Sequence, residues 1–274
     1  MSSIADRYTL EIRENAPVVW NGLTLYPLIV HDYELYRRAK PSFELMQASL
    51  GNPKLARLPW CACLWALDEM YRESSGKPGH FLTDVLLVLA KALRLEAFTD
   101  TGDGGKEKYP ISTVFNKGEL TAVMIGRPPH NAFLDMRQMS ELRVLLAAQN
   151  GYEIPDENWN PELVRAAQEN ASRGIGMRLD GSLETLVCSV ACQMRCRPGE
   201  IYQWTIREFT QMQDAIDRSL NYQIYTLAEK SGYIKFEKGN PFPTWKFNRK
   251  SDMPTGFRTI ADIDAGAKGL IAGT

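Results

Sequence analysis

The sequence contains few of the side chains on which enzymatic and metal chemistry depends. Only three of its 274 residues are histidines, His31, His80 and His130, and none of them lies in an H-E-x-x-H motif. The chain also has no G-x-S-x-G nucleophile elbow, no G-x-G-x-x-G turn and no Walker loop. No residue is identifiable as a nucleophile, base or ligand, so we expect a non-enzymatic protein with no catalytic residues, no cofactor and no metal.

The cysteines argue against a disulfide framework, because there are five of them, an odd number. Cys61 and Cys63 lie in an apolar segment, whereas Cys188, Cys192 and Cys196 are spaced four residues apart on one side of a predicted helix. Neither group contains the tight C-x-x-C pairs of a tetrahedral zinc site. We expect reduced thiols buried as small hydrophobic groups, with the edge formed by Cys188 and Cys192 packed against the long helix described below.

Charge and hydrophobicity are not concentrated in any one part of the chain. The net charge is -1, so the sequence predicts neither a nucleic acid nor an anionic membrane as a partner. The longest apolar runs, such as residues 86–93, are too short to span a bilayer. The first residues lack the basic and apolar regions of a signal peptide. We therefore expect a cytoplasmic location.

The hydrophobic pattern predicts an α+β fold that is predominantly α-helical, with two small β-hairpins, antiparallel helices and one long C-terminal helix. Residues 1–96 are predicted to form an N-terminal hairpin and a pair of apolar helices. Residues 8–14 alternate like a strand, and Asn21-Gly22 between apolar residues is typical of a two-residue hairpin. A helical pattern begins at Asp32, and Pro41 within it predicts a kink or two short helices.

Residues 97–132 are predicted to form a linker and the second hairpin. The segment TDTGDGGKEKYP lacks the spacing of a P-loop and of a calcium loop, so we interpret it as an exposed, mobile linker. The following segment predicts a hairpin with Gly118 in its turn.

Residues 133–232 are predicted to form a helical domain. Its helices are an amphipathic helix over 133–149, a surface helix after Pro161 and a helix over 182–196 that Ser182 caps. Residues 233–274 are predicted to be an extended aromatic tail, loose or ordered only by a partner.

The longest periodic segment is residues 197–232. Pro198 suits a first helical position, and Thr205 with Glu208 forms a capping box that starts a helix of about 26 residues ending near Gly232. Apolar residues then repeat at steps of three and four, the spacing of one helical face: Phe209, Met212, Ile216, Leu220, Ile224 and Leu227.

This segment resembles the tail assembly chaperones of tailed bacteriophages and prophages, which are encoded between the tail tube and tape-measure genes. The element shared with that family is matched by Pro198, Ile201, Trp204, Thr205 and Phe209. The resemblance implies a non-enzymatic role in virion morphogenesis, in the cytoplasm of the bacterial host. The implied partners are the tape-measure protein and the tail tube protein, and self-association into a homo-oligomer is left open.

A chaperone of this kind would offer an apolar helical seam and flexible aromatic residues to a partner helix. The candidate partner-binding residues are Trp204, Phe209, Met212, Ile216, Leu220, Phe242, Trp245 and Phe247. Ordinary core packing is the competing interpretation of each one. Two other functions are left open: a connector, neck or baseplate subunit retained in the particle, and a regulatory protein that binds a small molecule.

Overall fold

A computed structural model describes residues 4–99, 107–127, 130–152, 154 and 182–232, together with residues 236, 240, 242, 244 and 245. The chain divides into two compact units: the described residues up to 154 and residues 182–214 belong to the first, and those from 215 onwards to the second. The fold is α+β and mainly helical, as the sequence predicts.

The described residues begin with helical turns rather than with a strand. A 3-10 helix, Ile4–Tyr8, leads into helix α1, Thr9–Arg13, so the predicted strand over 8–14 is wrong. The Thr9 hydroxyl donates to the Asp6 carbonyl oxygen at 2.9 Å, a local bond that favours a turn over an extended chain. Leu10 and Ile12 alternate with polar residues, but only Ile12 is buried.

The first predicted hairpin is confirmed. Strand β1, Val18–Trp20, pairs antiparallel with β2, Leu23–Leu25. Asn21 and Gly22 between them have φ angles of 47° and 76°, the two left-handed conformations that a type I′ turn requires.

Helix α2, Tyr33–Glu44, follows a 3-10 turn at Val30–Asp32 and continues through Pro41, so the predicted division into two short helices there is wrong. Core contacts hold the last turn in place. Phe43 is fully buried, and the Trp60 indole N–H donates to the Ser42 carbonyl oxygen at 2.9 Å.

The two predicted apolar helices are confirmed. After a 3-10 turn at Gln47–Leu50 and helix α3, Pro53–Ala56, come α4, Trp60–Ser75, and α5, Phe81–Ala92. Gly76 ends α4 in the left-handed conformation typical of a helix C-terminus. Helix α5 packs against both α2 and α4.

The second predicted hairpin is confirmed but belongs to a larger sheet. Two short strands, β3 at Phe98–Thr99 and β4 at Glu107–Lys108, precede it. Strands β5, Ile111–Asn116, and β6, Glu119–Arg127, pair antiparallel, and β7, His130–Asp135, adds a third strand that the sequence did not predict. The predicted mobile linker falls mainly on residues 100–106, outside the described residues.

Helix α6 is Met136–Gln149 and begins three residues later than predicted. Asp135 ends β7 and caps the helix: its carboxylate accepts a hydrogen bond from the Gln138 amide at 2.7 Å, and the Gln138 side chain accepts one from the Asp135 amide at 2.9 Å. This capping box sets the boundary between strand and helix.

Three further helices complete the described chain. They are α7, Leu183–Met194, α8, Pro198–Ile201, and α9, Ile206–Lys230, and none of the helices in the described residues has the length and hydrophobicity needed to cross a membrane. The predicted surface helix after Pro161 lies outside the described residues. Ser182 caps α7 by accepting a hydrogen bond from the Thr185 amide at 3.2 Å.

The thiols divide into two groups. Cys61 and Cys63 are buried, as predicted, and burial raises the pKa of Cys61 to about 12. Cys188 and Cys192 are exposed, so the prediction that this edge packs against the long helix is wrong. Helix α7 buries a different face, made of Val187, Val190 and Ala191.

The first unit has a continuous hydrophobic core. It is built by the first hairpin, α2, α4, α5, β6, α6 and the start of α9. Its largest fully buried side chains are Phe43, Phe209, Leu25, Leu28, Leu64, Leu89, Met139, Leu142, Leu145, Leu146, Ile201 and Ile206.

Candidate functional site

The start of helix α9 is joined to the N-terminal part of the chain by backbone hydrogen bonds. The Val30 amide donates to the Trp204 carbonyl oxygen at 2.8 Å, and the Ile206 amide donates to the Leu28 carbonyl oxygen at 2.9 Å. Ile29 and Thr205 form the antiparallel bridge between these bonds. This pairing fixes the position at which the long helix begins.

The predicted capping box at this position is present. The Thr205 hydroxyl accepts a hydrogen bond from the Glu208 amide at 3.1 Å, and the Glu208 carboxylate accepts one from the Thr205 amide at 2.8 Å. Arg207 adds a tertiary contact, since its guanidinium donates to the Ala148 carbonyl oxygen at 3.0 Å. Both ends of this turn are therefore held by specific bonds.

Two apolar residues near the start of α9, Ile201 and Phe209, lie in the core of the first unit. Both are 0% exposed, and the Phe209 ring packs edge-on against Tyr33 with 6.1 Å between ring centroids. Pro198 occupies the first turn of α8. In this chain, these residues anchor the start of α9.

Burial of the apolar face of α9 changes along the helix. Met212 and Ile216 are half-buried. The next three apolar residues of the repeat are exposed: Leu220 at 39%, Ile224 at 60% and Leu227 at 69%. Because they are spaced by four and then three residues, they lie on one side of the helix, and we call them the exposed stripe.

Aromatic residues beyond the helix pack back onto it at a different place. The Tyr225 ring contacts the rings of Phe236 and Phe242, with centroid distances of 5.6 and 4.8 Å. The Asn240 side chain donates to the Glu229 carboxylate at 3.2 Å and accepts from the Phe242 amide at 2.8 Å. The described residues of the tail are therefore tied to the helix side that carries Tyr225 and Glu229.

These tail contacts do not coincide with the exposed stripe. At 3.6 residues per turn, Tyr225 lies about 100° and Glu229 about 140° around the helix from Ile224. Trp245, further along the tail, is 52% exposed. The second unit thus carries two separate sets of apolar side chains on α9, one in contact with aromatic residues and one exposed.

The eight candidate partner-binding residues have different surroundings. Phe209 is fully buried, Trp204, Met212 and Ile216 are half-buried, and Leu220 is exposed. In the tail, Phe242 packs against Tyr225, Trp245 is exposed, and Phe247 lies outside the described residues. Ile224 and Leu227 were absent from the candidate set although the periodic pattern contained them, and they are the most exposed members of that pattern.

The titratable groups do not converge on a second site in the described part of the chain. Among those residues no group of three or more His, Cys, Asp or Glu side chains is placed to hold a metal ion. His31 is exposed, and His80 lies just before α5. Burial raises the pKa of Tyr36, and burial together with the neighbouring Glu44 raises the pKa of Tyr152.

Comparison with known proteins identifies no relative of this chain. No model of a known protein family matches the chain, and neither the curated proteins nor the solved structures yield a significant match.

Proposed function

We propose that this chain is a non-enzymatic protein of phage tail morphogenesis, a tail assembly chaperone that binds the tape-measure protein and tail tube subunits in the cytoplasm of the bacterial host. The observation that carries the proposal is the exposed stripe. Leu220, Ile224 and Leu227 present large apolar side chains at the i, i+4 and i+7 spacing with which one helix binds another.

The chemistry of the proposed partner fits this surface. A tape-measure protein is a long apolar helical rod that must stay soluble until tube subunits polymerise around it. A short apolar stripe binds such a helix through few side chains, so the contact is weak enough to be displaced when the tube assembles. We therefore place the contact surface at the stripe and at the exposed Trp245, and we leave the fully buried Phe209 out of it.

The test is co-expression with the tape-measure protein of the same genome. We expect the soluble fraction of the tape-measure protein to rise with the wild-type chain, and a pull-down to recover the complex. Ile224→Asp should weaken the complex by about tenfold or more, since removing one central apolar anchor costs on the order of 1.4 kcal/mol or more.

The matched control is Gln211→Asp, which adds the same charge at an exposed position of the same helix, about 140° around it from Ile224. This variant should bind like the wild type. No gain in solubility and no recovered complex would refute the chaperone function. Mass spectrometry of purified particles separates the alternative, because a structural subunit remains in the particle and a chaperone does not.

A further inference from the structure

Two exposed thiols on helix α7 have no part in the function proposed above. Cys188 and Cys192 are both free and exposed, although cysteine is among the residue types most often buried in proteins. Neither belongs to the face that α7 buries, which consists of Val187, Val190 and Ala191. The chemistry of the two thiols, rather than their packing, therefore has to account for their place on this surface.

The backbone of α7 fixes the separation of these thiols. Ser182 caps the first turn, and the Ser189 hydroxyl donates to the Thr185 carbonyl oxygen at 2.8 Å within the helix. Residues four apart lie on the same side of a helix, with about 5–6 Å between their Cβ atoms. Cys188 and Cys192 have this spacing, and we call the two side chains the dithiol pair.

The geometry of the dithiol pair suits a bridging metal ion better than a disulfide. A disulfide requires about 3.5–4.5 Å between Cβ atoms, which is shorter than the helical spacing. An ion between the two sulfurs adds two metal–sulfur bonds, each about 2.3 Å long for zinc, and so spans a longer gap. An ion therefore fits between these thiols while α7 keeps its helical backbone.

The third thiol of this segment is placed differently. Cys196 continues the spacing of four in the sequence, but α7 ends at Met194 and Arg195 has a φ angle of 56°, so the chain leaves the helical path before Cys196. The Cys196 amide donates to the Ala191 carbonyl oxygen at 3.1 Å in this terminal turn. In the part of the chain that the structure describes, no third His, Cys, Asp or Glu side chain completes a metal-binding group here.

The number and type of ligands determine the class of ion. A zinc site in a protein needs four ligands, of which the dithiol pair supplies half, whereas Cu(I) is a soft ion that thiolates select and that two sulfurs suffice to coordinate. We propose that Cys188 and Cys192 together bind one Cu(I) ion. Each thiol loses its proton to solvent as its bond to the ion forms, so binding releases two protons and leaves the oxidation state unchanged. The site does not rest on the proposed function.

Competition for Cu(I) with the chromophoric chelator bicinchoninate, under anaerobic conditions, tests the proposal on the purified chain. The wild type should withdraw one Cu(I) per chain from the chelator. Cys188→Ser and Cys192→Ser should each weaken Cu(I) binding by more than about a hundredfold, because even the loss of a group that only orients a metal ligand costs about 10–100-fold. The matched control is Cys196→Ser, which removes a neighbouring, half-exposed thiol and should leave the affinity unchanged.

X-ray absorption at the copper edge tests the coordination. It should show two sulfur neighbours, and the affinity for Cu(I) should rise with pH because binding releases protons. Three sulfur neighbours, one ion shared by two chains, or an equal loss of affinity in Cys196→Ser would overturn the proposal. A wild type that cannot compete with the chelator would overturn it as well.

Circular dichroism checks folding. All three variants should keep the helicity of the wild type, since the substituted side chains are exposed or half-exposed. Loss of helicity in Cys188→Ser or Cys192→Ser would mean that the thiols support the packing of α7, which contradicts the inference. None of these results depends on the tape-measure protein, so they are separate from the co-expression test.

Discussion

Asp68 lies on helix α4, and its buried carboxylate binds the first amides of the neighbouring helix α5. Its two oxygens accept hydrogen bonds from the Phe81 amide at 2.8 Å and the Leu82 amide at 3.0 Å. These are among the amides at a helix start that have no partner within the helix. A side chain at Gly79 would overlap Asp68, so glycine is needed there for the close approach.

We predict that Asp68→Ala destabilises the chain by about 1–3 kcal/mol, because it leaves the buried Leu82 amide and the partly buried Phe81 amide without an acceptor. Urea unfolding followed by circular dichroism measures the free energy of unfolding. The matched control is Met70→Ala, on the same helix but 49% exposed, which should change stability by about 0.5 kcal/mol or less. Equal effects of the two substitutions would mean that the carboxylate does not support α5.

The same residue predicts a pH dependence. Burial raises the pKa of Asp68 above its ordinary 3.8, although the two amide bonds and His80 act in the opposite direction. The folded chain therefore holds this proton more tightly than the unfolded chain. That contribution to stability is fully present below pH 3.8 and is lost as the pH rises through the folded-state pKa.

Replacing the titratable carboxyl of Asp68 by an amide removes this pH-dependent contribution to stability. The unfolding free energy of the wild type minus that of Asp68→Asn should therefore fall as the pH increases from about 4 to about 7. A difference that grows over this range would mean that the pKa of Asp68 is lowered in the folded state.

Arg143 shows what sequence reasoning misses at the scale of residues. Its guanidinium is buried and donates to the Phe43 carbonyl oxygen at 2.8 Å and the Leu45 carbonyl oxygen at 2.9 Å, at the end of α2. It also lies over the Trp60 ring at 5.2 Å. These partners are far apart in sequence, so no local pattern predicts that this arginine leaves the polar face of α6.

Local signals predicted the elements whose ends depend on neighbouring residues. The capping box of Thr205 and Glu208, the turn at Asn21-Gly22 and the Ser182 cap of α7 are all present, because the bonds that form them join residues close in sequence. The third strand of the sheet was not predicted, since β7 is defined by its ladder with β6. Pro41 predicts a kink or two short helices, yet α2 continues to Glu44, because sequence alone does not show the core contacts of Phe43 beyond the proline.

The periodic face of α9 illustrates a different limit. The repeat from Phe209 to Leu227 is uniform in sequence, yet Phe209 is fully buried and Leu227 is 69% exposed. A hydrophobic period predicts which side of a helix is apolar but not what covers it. Burial depends on the elements that pack against each turn.

We predict that the two ends of this face respond differently to truncation. Phe209→Ala should destabilise the chain by about 3–5 kcal/mol, as expected for a large buried aromatic side chain. Ile224→Ala should change stability by about 0.5 kcal/mol or less, because the side chain is exposed. The readout is the denaturant dependence of the circular dichroism signal.

If Ile224→Ala were as costly as Phe209→Ala, the stripe would be part of a core and not a binding surface. The outcome therefore decides between the two interpretations that the sequence leaves open for every apolar residue of this helix.

At the scale of the whole molecule, the core of the first unit joins residues from distant parts of the chain. Trp20 of the first hairpin, Val88 of α5, Val123 of β6, Leu145 of α6 and Ile206 of α9 are all buried in it. The hydrophobic pattern predicted most of these elements and their type. Their assembly into one core depends on contacts between distant segments, which the pattern does not contain.

The exposed stripe is the main apolar feature of α9 that this packing leaves uncovered. A binding function explains why Leu220, Ile224 and Leu227 remain apolar, since exposed apolar side chains in a contiguous row are typical of interaction sites.

Hydrogen exchange of the chain with and without the tape-measure protein that we propose as its partner tests the central claim most directly. We predict that amides of residues 217–230 exchange more slowly in the complex, while those of helix α5 keep their rates. The Gln211→Asp chain should show the same protection, and the Ile224→Asp chain should show none. A complex that protects other segments and leaves residues 217–230 unchanged would contradict the assignment of the stripe as the binding surface.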